Sequence, residues 1–290
     1  MDDYRLAFKG SVNRWECDEN DHLNVRFYSR MAHEALVNFQ VESGFHGPVH
    51  LLNQHMRYLA EARLATPISG YLLRLGTRAN VHRHLIELRH SFTGEVLATF
   101  LTESAQDSHG LQDQADPTLP AHAGPRGLAA IESPFSVLRR DQAAAHGFVL
   151  TGKGVIARSE CSADDTLRAH ALMGRMSDAM PNLRAVLQTA EEQAARSNGF
   201  QGGAVLEYRK TYHRPLKVAD RYEVWSGVRD VSAKLQHFVH LVFELGQGSC
   251  AASDEAVAVV LDLVARKAIA VPESRRNRML ALRVTLPTQF

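Results

Sequence analysis

The chain has 290 residues, 45% of them hydrophobic and 22% charged, with 19 glycines and 10 prolines. That composition excludes a disordered, collagen-like or disulfide-scaffold protein and leaves one large domain or two of about 145 residues. Lys and Arg (33) balance Asp and Glu (32) to a net charge of +1, so there is no electrostatic footprint for nucleic acid or an anionic membrane. Three cysteines, Cys17, Cys161 and Cys250, are odd in number and too few for a disulfide framework, which points to a reducing, cytoplasmic setting. The opening MDDYRLAFKG has no apolar run of a secretory signal. The longest apolar stretch, 256–265, is interrupted by Asp262 and is too short to cross a bilayer.

In chain order, residues 10–17 read as a short extended run leading into a polar loop. Phe27, Met31, Ala35, Leu36 and Phe39 recur at helical spacing and predict a helix over 27–41. HRHLIELRHSF alternates as a strand does, turns at Thr93-Gly94-Glu95 and continues as VLATFLTE. Residues 105–147, rich in Gln, Asp, Pro, Gly and Ala, read as a connecting segment. A second extended run over 154–161 precedes a helical stretch over 169–195, which Pro181 is expected to kink or divide and Ser197-Asn198-Gly199 to stop. RYEVWSGV, QHFVHLVFEL, a Gly246-Gln247-Gly248 turn and AVAVVLDLVARK then read as strands. One long helix followed by an antiparallel meander, twice over, suggests α+β units with each sheet wrapped around its helix.

The two halves resemble each other. KGSVNRWECDENDHL (9–23) and KGVIARSECSADDTL (153–167) share seven of fifteen residues at an offset of 144, where composition alone would give about one. Tyr58 and Tyr208 support a second pairing, MRYLAEARLATPISG with LEYRKTYHRPLKVAD. We read a duplicated and fused fold: an N-terminal half over 1–104, a connecting segment over 105–147, a C-terminal half over 148–272 and a tail over 273–290.

The polar loop WECDENDHLN (15–24) places acid, amide and imidazole directly before a helix start. Unpaired N–H groups there can polarise a carbonyl oxygen, and a carboxylate and an imidazole beside them supply a base or nucleophile and an acid. Capping and chain reversal by Asp18 and Asn20 would use the same residues. The run D-E-N-D-H-L-N followed by Phe27-Tyr28 resembles the site of hotdog-fold thioesterases of the 4-hydroxybenzoyl-CoA thioesterase type. Its D-x-N-x-H spacing is similar to that of acyl-ACP thioesterases, which are fused double hotdogs. Those enzymes use a Glu in a Y-x-x-E run, matched by Tyr58-Leu59-Ala60-Glu61, while the second Asn of the family's H-x-N-N is Val25 here.

The resemblance implies a tandem hotdog that hydrolyses acyl thioesters, with acyl-CoA favoured over acyl-ACP, and with no metal or other cofactor. Asp18 would be general base or nucleophile, Asn20 would orient water or substrate, His22 would stabilise charge or relay a proton, and Glu61 would be an auxiliary base. Asn24, Val25, Tyr28 and Tyr58 would line the substrate, whose carbonyl meets the N–H groups at the helix start. On the 144 offset, Asp18, Asn20, His22 and Asn24 become Ser162, Asp164, Thr166 and Arg168, and the second pairing sets Glu61 against Thr211. One half thus keeps the chemistry, and Cys17, retained as Cys161, reads as structural. A hotdog enoyl-CoA hydratase or dehydratase is an alternative, but its D-x-N-P-x-H pattern is not met. A non-catalytic acyl-CoA-binding protein is another. A monomer or homodimer is expected, because fusion already supplies the internal pairing.

Elsewhere, His82, His84 and His90 share one strand face, read as solvated rather than as a zinc site. His46, His50 and His55 are read as a loop cluster after the first helix. Arg139-Arg140 and Arg275-Arg276 are candidates for a CoA phosphate or an acidic carrier.

Overall fold

A computed structural model describes residues 4–78, 81–105, 118–128 and 133–287. The chain forms two compact units, residues 1–126 with 168–173, and residues 127–167 with 174–290. Both are α+β with antiparallel sheets.

In the first unit β1 (Arg5–Ser11) is followed by a 3₁₀ turn at Arg14–Glu16, then α1 (Val25–Glu42), β2 (His50–Tyr58), β3 (Pro67–Arg78), β4 (Val81–His90) and β5 (Val96–Ala105). The sheet order is β1-β3-β4-β5-β2. α1 encloses the helix expected over 27–41 and buries Met31, Ala32, Ala35, Leu36 and Phe39, packing on β1, β3 and β4. The β4–β5 hairpin turns where Gly94 takes a left-handed φ of 73°. The first strand lies earlier than the expected 10–17. After Ser11 the Glu16 carboxylate takes the N–H of Asn13 and closes the 3₁₀ turn instead of continuing the strand. Strand β2 absorbs His50 and His55, which correct the loop cluster.

The other face of this sheet is covered as well. Residues 118–124 of the connecting segment lie against it, with Leu119 and Ala123 on Leu75, Leu85 and Leu101. Arg57 donates to the carbonyls of Ala121, His122 and Gly124. Glu87, buried beneath, accepts from Tyr4, His122 and Arg89. The remaining connector residues 106–117 and 129–132 lie outside the described ones.

The second half of the chain repeats the plan with β6 (Val149–Val155), α2 (Ala169–Leu187), whose first turn counts with the first unit, α3 (Ala190–Ser197), β7 (Gln201–Tyr212), β8 (Arg221–Val231), β9 (Leu235–Glu244), β10 (Ser249–Asp262), β11 (Lys267–Ile269) and α4 (Glu273–Ala281). Its sheet order is β6-β8-β9-β10-β7, with β11 on β10. Pro181 does not divide the helix, since α2 continues to Leu187. The break comes at Thr189, whose hydroxyl accepts from Glu192 N–H while the Glu192 carboxylate takes the Thr189 N–H, a capping box. α3 then stops at Asn198-Gly199 as expected.

Three of the four arginines singled out in the sequence, Arg139, Arg140 and Arg275, are held in structural contacts, and Arg276 is exposed. Arg140 sits on Glu223 at 2.7 Å, and Arg139 donates to the Gln247 carbonyl. Arg275 is buried against Glu192. No described helix is long and apolar enough to cross a membrane.

Candidate active site

Leu23 and Cys17 pair as an isolated bridge, and the Asp18 N–H donates to the His22 carbonyl at 2.8 Å, which closes residues 18–22 into a tight loop. Asp21 supplies the reversal with φ 59°, a left-handed position that Asp tolerates better than most residues. Asp18 Oδ1 accepts from the N–H groups of Asn20 (2.8 Å) and His22 (3.2 Å). Burial raises the Asp18 carboxyl above its ordinary value, against the pull of those two N–H groups.

The loop ends at the start of α1. Asn24 caps it, its side-chain oxygen accepting from Arg26 N–H at 2.9 Å, and its carbonyl accepts from Phe27 and Tyr28 N–H. Among the described residues the Val25 N–H has no such bond, so the general expectation of free amides at this helix start narrows to one. An N–H at a helix N-terminus is a ready donor to a developing oxyanion.

His22 is brought to Glu61. Its Nε2 lies 3.1 Å from Glu61 Oε2 and 3.2 Å from Arg63 Nη2. The backbones of His22 and Arg63 pair, and the Leu23 N–H donates to the Ala62 carbonyl at 2.8 Å. Tyr28 holds this segment from beneath, its hydroxyl accepting from Ala62 N–H (3.1 Å) and donating to the Ala60 carbonyl (3.4 Å). Its ring meets that of Tyr58 edge-on at 5.3 Å. Asp18, Asn20, His22, Asn24, Val25, Tyr28, Tyr58 and Glu61 therefore gather within one unit. Tyr28 is buried, with its hydroxyl engaged by the backbone on either side of Glu61. Arg63 was not anticipated, because only the pairing of its strand-like segment with the loop brings it to His22; nothing in its local sequence marks it.

The second unit contains the same loop built from other side chains. Ser162 N–H donates to the Thr166 carbonyl at 2.8 Å, Asp165 takes φ 62°, and Leu167 N–H donates to the Leu216 carbonyl at 2.8 Å. Asp164 accepts from the hydroxyls of Ser162 (2.6 Å) and Thr166 (2.7 Å). The backbone corrects the partner of Glu61. Leu59 and Ala60 N–H donate to the Leu97 carbonyl, and His213 and Arg214 N–H donate likewise to that of Ala251. The residue that follows is Glu61 in one case and Pro215 in the other, so Thr211 is not its counterpart.

What the two loops retain is scaffold. Glu16 binds Arg30 (2.5 Å) and Glu160 binds Arg175. Cys17 and Cys161 direct Sγ at the carbonyls of Asn13 (3.6 Å) and Ala157 (3.5 Å). Burial raises the Cys17 thiol, which disfavours a nucleophilic thiolate.

His82 and His84 are not solvated. Both are buried, and the His84 ring meets Phe39 of α1 edge-on at 5.7 Å. His90 instead takes the N–H groups of Phe92 and Thr93 in the hairpin turn. No group of three or more His, Cys, Asp or Glu among the described residues is placed to hold a metal ion.

No protein-family model and no curated protein matches the sequence. Solved structures match its shape. An acyl-ACP thioesterase from Bacteroides thetaiotaomicron is similar with a TM-score of 0.61 at 9% identity, over 88% of this chain and 97% of that one. The 12:0-ACP thioesterase from Umbellularia californica gives 0.59 at 10% identity, over 88% and 92%. The tesB protein of Mycobacterium avium subspecies paratuberculosis gives 0.52 at 13%, over 88% and 93%. At these identities the likeness establishes architecture: the chain has the hotdog-type α+β fold of these thioesterases.

Proposed function

We propose that the protein is an acyl-thioester hydrolase, acting on acyl-CoA in preference to acyl-ACP, built as two fused hotdogs of which the half over 1–104 is active and the half over 148–272 is degenerate. The observation that carries this reading is the paired loops. The same backbone presents Asp18, Asn20, His22 and Glu61 in one unit and Ser162, Asp164, Thr166 and Pro215 in the other, while the residues that shape the loop are kept. The solved structures of like fold, named as thioesterases, support it.

In this reading the thioester carbonyl accepts from the Val25 N–H at the head of α1, where the helix dipole favours the charge that develops on oxygen. Asp18 either removes a proton from water as the water attacks the carbonyl carbon, or attacks that carbon itself to give an anhydride that water then cleaves. Asn20 orients the attacking group. His22, paired with Glu61, gives a proton to the departing thiolate as the C–S bond breaks and is recharged by relay of the proton the attacking water released, which resets Asp18 as acid and thiol leave. The test is thiol release from short, medium, long, aromatic and polar acyl-CoAs by wild type and Asp18→Asn side by side. Release that depends on Asp18 is the expected result. Release unchanged in the variant removes Asp18 from the site, and no release from any CoA or ACP thioester overturns the hydrolase reading.

A further inference from the structure

Two adjacent inward-facing rows of side chains have opposite polarity in the two sheets. Across β3, β4, β5 and β2 one row reads Leu72, Ile86, Phe100, Met56, and the next, two residues further from Tyr58, reads Arg74, His84, Thr102, Gln54. Counted from the matching carbonyls of Leu97 and Ala251, the same rows of the second sheet read Ser226, His240, Asp254, Lys210 and then Val228, Phe238, Ala256, Tyr208. An apolar version of the outer row is therefore compatible with this fold, and the first unit does not use it.

That polar row faces α1 through the contact of His84 with Phe39, and His82 stacks on His84 at 6.4 Å. Two buried atoms of that row, His84 Nδ1 and Arg74 Nε, have no hydrogen-bond partner, and neither has Ser104 Oγ, two residues beyond Thr102 on β5 and opposite His82, nor either side-chain polar atom of Gln40, the buried residue after Phe39 in α1. Unpaired buried polar atoms destabilise a fold, and several on one sheet and on the helix that packs on it point to a polar group that completes them. Gln40 and Ser104 can each donate and accept, as a hydroxyl can.

We propose that the interior of the first unit receives the substrate's acyl chain and reads a hydroxyl on its distal part at the Gln40–His84–Ser104 region. The inference rests on the acyl-thioester reading and adds the substrate class. Tyr58, which touches Tyr28 beside the candidate catalytic loop, stands four residues after Gln54 of the polar row along β2. Four strand residues span about 14 Å, the reach of an extended chain of about a dozen bonds. The apolar row of Met56, Phe100 and Ile86 lies between, suited to the hydrocarbon part.

The experiment is calorimetric titration of the full chain with ω-hydroxydodecanoic acid and with dodecanoic acid. Wild type is expected to bind the hydroxy acid about tenfold more tightly, the worth of a good buried hydrogen bond. His84→Phe and Thr102→Ala, which copy Phe238 and Ala256, are expected to erase that preference; thermal melting identifies which variants are folded. Equal or tighter binding of the plain acid by wild type overturns the proposal, as does a preference that survives in a folded His84→Phe. The wild-type ratio decides if neither variant folds. A tenfold preference without thiol release from any thioester would sink hydrolysis and leave this site standing; release without preference would do the reverse.

Discussion

Asp18 is both the organiser of its loop and the candidate base, and the two roles separate on substitution. Asn keeps the oxygen that accepts from Asn20 and His22 N–H but cannot take a proton, so Asp18→Asn is expected to lower kcat about a thousandfold with the fold intact. Because burial raises its carboxyl, the folded state binds the proton more tightly than the unfolded state. The stability that proton gives is fully present below the ordinary value and is lost as pH rises through the raised one. Asp18→Asn should therefore melt higher than wild type at neutral pH and lose that advantage in acid, by calorimetry. The same upward shift should place the acid limb of kcat/KM in wild type above the ordinary aspartate position. An acid limb at the ordinary position would argue against Asp18 as base. This site was readable because D-x-N-x-H and Y-x-x-E are local patterns. Arg63 was not, and neither was the pairing of Glu61 with Pro215. The offset between halves grows from 144 residues at the loop to 154 at the strands, across a region where α3 extends the second half.

At the scale of elements, β2 and β7 show how the same strand position can be solved by packing or by charge. Met56 faces Phe100 in one sheet, and Lys210 faces Asp254 at 2.9 Å in the other, both ions buried and Asp254 pushed up to about 6 by that burial. Removing one partner strands the other charge, so Lys210→Met is expected to cost about 3–5 kcal/mol, whereas Lys210→Met with Asp254→Phe recovers most of that. Urea titrations of the single and double variants check it, and a double variant no more stable than Lys210→Met would rule out compensation. Tyr28→Phe removes the hydroxyl that bridges Ala60 and Ala62 and should lose about 1 kcal/mol, with a larger fractional loss in kcat than in KM because Glu61 is no longer held at His22. The strand content here was only partly legible. β4 and β5 alternate plainly, but β2 carries Asn53, Gln54 and His55 in sequence, and its inward Gln54 breaks the apolar period by which strands are recognised. Pro181 misled for a different reason: the helix tolerates it, and the true break is written in Thr189-x-x-Glu192.

For the whole molecule, the two units share a strand order and differ in the side chains their loops carry. Asp164→Ala, which deletes the acceptor of two hydroxyls in the second loop, is expected to lower the melting temperature slightly and leave thioester turnover at the wild-type level; a matching collapse of turnover would mean that both loops do chemistry. The opposed polar rows carry a further consequence. In a homodimer every substitution is made twice, so a buried ionic row introduced for one subunit's benefit must be endured by the other. Two halves on one polypeptide escape that rule of symmetry. Each can be retuned in isolation, which frees one half to give up hydrocarbon lining while its twin keeps its own at the same depth.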